Sequence, residues 1–168
     1  YIHEKGVWRR SSRKRAIALG YKVVKTRWID INKGNYEAPN YRSRFVAKEF
    51  NDGAEEGLFA STPPLEALRY LLSELATVHV GYLARGQNSP EEDEKVLMIN
   101  NVARAFFEAP VKRKVGVELP AEEGARPDEV GILEKSLYGT RDASANFQEE
   151  VRVVLVKAGF KQGRYNPS

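Results

Sequence analysis

Two alternating runs stand near the start of the chain. From Tyr21 to Ile31, Val, Trp and Ile are interleaved with charged residues, and Tyr41 to Phe50 alternates again after Asn32-Lys33-Gly34-Asn35. Alternation around a polar, glycine-bearing turn predicts two antiparallel strands. On the second, Arg42 and Arg44 fall on one face and Phe45 and Ala47 on the other, since successive side chains alternate. Period then changes. Leu65, Leu68, Leu72, Leu75 and Ala76 recur at helical spacing up to about Val80, behind Thr62-Pro63-Pro64, a cap and first turn. That helix reads as core, and His79 near its end as structural.

Four apolar residues in a row, Val96 to Ile99, predict a strand buried on both faces, with Asn101 at its exit. Val115 to Leu119 reads as a short strand before Pro120. The loop with Glu122, Glu123, Asp128 and Glu129 reads as solvated surface. Ile132-Leu133 leads into Ser136-Leu137-Tyr138-Gly139. Asp142 can cap a helix whose Phe147, Val151, Val154, Leu155 and Ala158 face a sheet and which Gly159 ends.

Composition narrows the chemistry. With 168 residues, 42% of them hydrophobic, one ordinary core or one domain plus a tail can form. The absence of cysteine excludes disulfides and thiolate zinc sites, and His3 and His79 alone make a histidine metal cluster or a Ser-His-Asp triad a poor fit. No apolar run is long enough to span a bilayer and no signal-peptide pattern is present, which reads as an intracellular chain, cytoplasmic or nuclear. The chain begins at Tyr1 and its sole methionine is Met98, as expected of a segment from a longer reading frame.

Charge is uneven. Residues 1–50 hold 13 Lys and Arg against 4 Asp and Glu, whereas the other 118 hold 14 against 19. Clustered cations neutralise phosphates and release counterions, so the basic third suits nucleic acid. For residues 1–20, with Trp8-Arg9-Arg10-Ser11-Ser12-Arg13-Lys14-Arg15, the reading is a basic linker or tail.

Several blocks, in one order, resemble a known family. Tyr41-Arg42-Ser43-Arg44-Phe45-Val46-Ala47-Lys48-Glu49-Phe50, Ala60-Ser61-Thr62-Pro63-Pro64-Leu65, the stretch Val96 to Pro110 and Leu133 to Ala143 are together similar to a Ty1/copia-type retrotransposon reverse transcriptase. The resemblance covers about three quarters of the chain. It implies an α+β fold, with a fingers hairpin over residues 21–60 and a partial palm over 61–168, antiparallel strands backed by two long helices. It also implies RNA-directed DNA synthesis on an RNA/DNA primer-template with dNTPs, and two Mg²⁺ ions clamping the attacking and leaving oxygens.

The same resemblance supplies the candidate residues. Asn101 stands where the family has its first metal-binding aspartate, and Val102 is where a backbone carbonyl reaches a metal. Arg42, Arg44 and Lys48 match the region that grips the triphosphate. Phe106 matches the ring beneath the sugar, and Tyr138 and Gly139 match the segment that approaches the incoming nucleotide. Plainer roles stay open: solubilising arginines on an edge strand, one more core ring, an ordinary turn.

Two departures weigh against chemistry. An asparagine offers Mg²⁺ a neutral carbonyl where the metal takes anionic oxygen. At an effective dielectric of about 20, two unit charges about 4 Å apart interact by about 4 kcal/mol, and about 1.4 kcal/mol is tenfold in rate. Losing the carboxylate thus removes orders of magnitude. No Asp-Asp pair occurs in the sequence, so the family's Tyr-x-Asp-Asp hairpin is missing too. The expectation is an inactive polymerase fragment, of marginal stability because its palm sheet keeps an open edge. A non-catalytic nucleic-acid-binding remnant and an unrelated structural domain are the alternatives.

Overall fold

A computed structural model describes residues 2–50, 58, 60, 63–85 and 98–163, with side chains of the long helix described as far as residue 76. The chain is a mixed α+β protein with two compact units, one of residues 1–60 with 104–161 and another of 61–103 with 162–168.

The first unit holds a four-stranded sheet and a hairpin. In chain order come β1 (Trp8–Ser12), α1 (Arg13–Ala18), β2 (Lys22–Val24), β3 (Thr26–Asn32) and β4 (Tyr41–Ala47), then β5 (Val115–Glu118), β6 (Glu129–Leu133) and α3 (Ala143–Lys157); α2 (Leu65–Arg85) belongs to the second unit. The sheet runs β1-β6-β5-β2, antiparallel except that β2 lies parallel to β5. Alternation sorts its faces. Trp8, Leu133, Val117, Val115 and Val24 share one core with Phe45, Ala47, Phe107 and Leu137, whereas Val130 and Ile132 on the other face pack against Ala16 of α1. The sheet is therefore mixed, and the helix on its second face is the short α1, not the pair of long helices expected.

The β3–β4 hairpin forms where alternation placed it. Its ladder pairs Trp28 with Phe45, Ile29 with Arg44 and Ile31 with Arg42. The Asn32 side-chain oxygen closes the turn by accepting from the Gly34 and Asn40 amides at 2.9 and 2.8 Å. Phe45 lies between Trp8 and Trp28, ring centroids 5.8 and 5.2 Å away, and this fastens the hairpin to the sheet. The single strand expected over Tyr21–Ile31 breaks at Lys25, whose carbonyl accepts from the Lys48 amide, so β2 joins the sheet and β3 the hairpin.

Residues 1–20 are not a tail. β1 pairs along its whole length with β6, Trp8 opposite Leu133 through Ser12 opposite Glu129, and the Ser12 hydroxyl caps α1. The physical reason is charge matching at long range. Arg9 meets Glu134 at 2.7 Å, Arg10 meets Glu123 at 3.0 Å and Arg13 meets Glu118 at 2.9 Å. The acidic loop is only partly solvated: Glu122 and Asp128 are exposed as expected, whereas the Glu123 and Glu129 side chains are mostly covered, 13% and 18% exposed.

In the second unit, α2 runs from Leu65 past the expected end near Val80. Its described leucines do not make a core, since Leu65, Leu68 and Leu72 are all exposed. Thr62 and the side chain of His79 lie outside the described residues, as do Val96 and Leu97 of the expected central strand. Met98 to Asn100 form no strand, and Ile99 is 78% exposed, which overturns a strand buried on both faces for that part. No helix among the described residues is long and apolar enough to cross a membrane.

Candidate functional site

The segment Ser136 to Gly139 is the hub of the first unit. Just beyond β6 the chain is held by the Val7 carbonyl, which accepts from the Glu134 and Lys135 amides, and by Ala109, whose carbonyl accepts from Ser136 at 2.8 Å. On its far side the Tyr138 carbonyl accepts from the Ala47 amide at 2.7 Å. Gly139 completes the contact with β4. Its φ of +82° is a left-handed conformation, and a β-carbon there would overlap the Ala47 carbonyl oxygen. Glycine is thus required by the neighbouring strand as well as by the turn.

Tyr138 sits between two phenylalanines. Its ring lies 4.7 Å from that of Phe106 and 5.7 Å from that of Phe107, and Phe106 also meets Phe147 of α3 edge-on at 6.3 Å. A 3₁₀ turn over Ala105–Glu108 aims these rings, entered through Arg104 at a φ of +54°. Phe107 is buried in the core, as the sequence suggests, whereas Phe106 and Tyr138 are half-buried. Three of the candidate residues, Phe106, Tyr138 and Gly139, therefore come together beside the end of β4, where Lys48 follows.

Arg42 and Arg44 do not join them. Phe45 and Ala47 turn toward the core that holds Tyr138, so Arg42 and Arg44 lie on the opposite face of the hairpin. Both are exposed, and among the described residues neither has a hydrogen-bond or ion-pair partner. Asn101 and Val102 belong to the second unit and are exposed.

A charged network missed from sequence lies beneath the hub. Glu49, given no role by the sequence, has a fully buried side chain and takes a two-point hydrogen bond from Arg113 at 2.8 and 3.0 Å. The same guanidinium reaches Asp142 at 2.8 Å, and the Arg141 amide donates to Glu49 at 3.0 Å. Asp142 therefore does not cap α3 through its side chain; it accepts from Arg113 and from Asn146, which also reaches Ser136. Burial pushes both carboxyls upward, but the Arg113 hydrogen bonds and charge outweigh it and hold Glu49 and Asp142 below their usual ranges; the same partners raise Arg113. The network ties the segment just after β4 to the segment before β5 and to the start of α3.

Mg²⁺ does not fit what is present. Asn101 supplies a neutral amide, Val102 at most a backbone carbonyl, and among the described residues no three His, Asp or Glu side chains are grouped so as to hold a metal. Glu49 and Asp142 are already neutralised by Arg113. The described residues offer exposed cations and half-buried rings, and no carboxylates grouped as two-metal phosphoryl transfer would use them. Comparison with protein-family models, with curated proteins and with solved structures finds no match to this chain.

Proposed function

We propose that the chain is a fragment of a Ty1/copia-type RNA-directed DNA polymerase that has lost polymerisation and keeps nucleic-acid binding, with an RNA/DNA primer-template as its partner. The observation that carries the binding half is the pair Arg42 and Arg44, exposed on one face of β4 with no acid among the described residues engaging them, while Arg9, Arg10 and Arg13 of the N-terminal segment are matched internally. The loss of chemistry rests on Asn101, whose neutral amide stands where the family has a metal-binding carboxylate. Phe106, Tyr138 and Gly139 are, on this reading, what is left of a nucleotide pocket.

Binding is tested by fluorescence anisotropy of a labelled RNA–DNA hybrid. Affinity should fall at least tenfold as salt rises from about 50 to about 200 mM, because each phosphate contact releases counterions. An affinity that barely moves excludes phosphate contacts and the reading with them.

One observation favours a second reading, an unrelated structural α+β domain whose blocks match the family by chance. Met98 to Asn101 are exposed and strandless where the resemblance requires a central strand. Absence of hybrid binding at low salt would select it.

A further inference from the structure

The outer face of the β3–β4 hairpin carries a third cation. Directly opposed residues of an antiparallel ladder share a face, so Arg42 with Ile31, Arg44 with Ile29 and Val46 with Arg27 lie together, and Asp30 falls on the other side with Ser43. The three arginines occupy alternate rungs, a line of about 14 Å at roughly 3.4 Å per residue, stepping from β4 to β3. No acidic residue is on that face of the ladder. All three arginines are exposed, and none has an ion pair or hydrogen bond with another described residue.

We propose that this stripe, Arg27, Arg44 and Arg42, binds the sugar-phosphate backbone of a single nucleic-acid strand, and that it does so apart from Phe106, Tyr138 and Gly139. The inference rests on the nucleic-acid reading above and narrows it to a face, a strand and a residue. Three features favour that occupant. Guanidinium groups pair with phosphate oxygens at two points. A line of evenly spaced cations matches a linear polyanion better than a compact one. Between the arginines stand Ile29, Ile31 and Val46, which give a base no hydrogen-bonding edge to read, so recognition is of the backbone and independent of sequence.

The test is the salt dependence of affinity for a fluorescein-labelled oligo-dT of about twenty nucleotides, long enough to fill a single-strand groove. For single strands the log–log slope changes by about 0.7 for each phosphate contact. Arg27→Ala, Arg42→Ala and Arg44→Ala should each flatten the slope by about 0.7, and the triple variant by about 2. Arg27→Lys should restore the slope, and Arg9→Ala, whose partner is Glu134, should leave it unchanged. Binding with an unaltered slope in the triple variant overturns the stripe while leaving nucleic-acid binding intact. Failure of the intact chain to bind either oligo-dT or the hybrid overturns both. Salt-sensitive binding to phosphatidylserine vesicles but not to oligo-dT, lost in the triple variant, assigns the stripe to a membrane surface and overturns it as well.

Discussion

Replacing Gly139 by alanine should lower the stability of the chain by about 3–4 kcal/mol. The left-handed backbone costs a non-glycine residue about 1–2 kcal/mol. The added methyl also meets the Ala47 carbonyl oxygen, a backbone atom that cannot swing away as a side chain would. Relief of the overlap separates the Tyr138–Gly139 turn from β4 and stretches the 2.7 Å bond between the Ala47 amide and Tyr138. Overpacking of this kind adds about 1–3 kcal/mol, and a domain has only about 5–15 to lose. In urea the midpoint should fall sharply with little change of slope. Gly159→Ala is the control: its φ is +94°, but nothing lies within 4 Å, so only the conformational penalty applies. Equal losses in the two variants would mean that the turn does not abut β4.

Arg113→Met should be of similar size for a different reason. Removing one partner of a buried charge pair costs about 3–5 kcal/mol, because the remaining charge is left without compensation. Here two carboxylates are stranded at once, Glu49 with a fully buried side chain and Asp142 with 4% of its side chain exposed. The pH dependence separates this from simple loss of packing. In the intact chain both carboxyls titrate below their ordinary values of 4.5 and 3.8, so the unfolded state binds protons first as pH falls. Their contribution is complete above about pH 5 and is lost as pH drops through the lowered values. Without Arg113, burial is countered only by the Arg141 amide and Lys22 at Glu49 and by Asn146 at Asp142, so both carboxyls rise and the variant should gain stability on mild acidification from neutral pH. Urea midpoints between about pH 7 and pH 3 measure this; parallel curves for the two proteins would show that Arg113 does not hold the pair.

The elements legible in the sequence were those governed by local pattern. The hairpin is written in two alternating runs and an asparagine-bearing turn, and α3 ends at Gly159, where the chain takes a positive φ. Val115–Glu118 is a strand before Pro120, as read. What escaped depends on residues far apart in the chain. Arg9 and Arg10 look like a tail until Glu134 and Glu123 are brought beside them by β6 and the loop before it. Nothing near Glu49 signals that Arg113 will neutralise it. The leucines of α2 announce a face that seeks cover, but periodicity does not say what supplies the cover: Leu65, Leu68 and Leu72 are exposed and Leu75 is half-buried.

Among the candidate site residues, Phe106, Tyr138 and Gly139 converge because the aromatic 3₁₀ turn and the segment after β6 pack on one core. Arg42 and Arg44 diverge from them because alternation, which placed Phe45 and Ala47 inward, sends neighbouring rungs outward. Arg27 could have been found by the same rule, since it stands on the preceding strand at the partner position of Val46, but finding it requires the register and not only the period.

The account turns on binding without chemistry, and one assay separates the two: the full chain with an RNA template, a labelled DNA primer, Mg²⁺ and all four dNTPs, run at low salt on a denaturing gel. The expected result is a salt-sensitive complex in which the primer keeps its length at every protein concentration. A ladder of extended primer that depends on Mg²⁺ would contradict it, because Asn101 and the carboxylates present would then have sufficed for phosphoryl transfer.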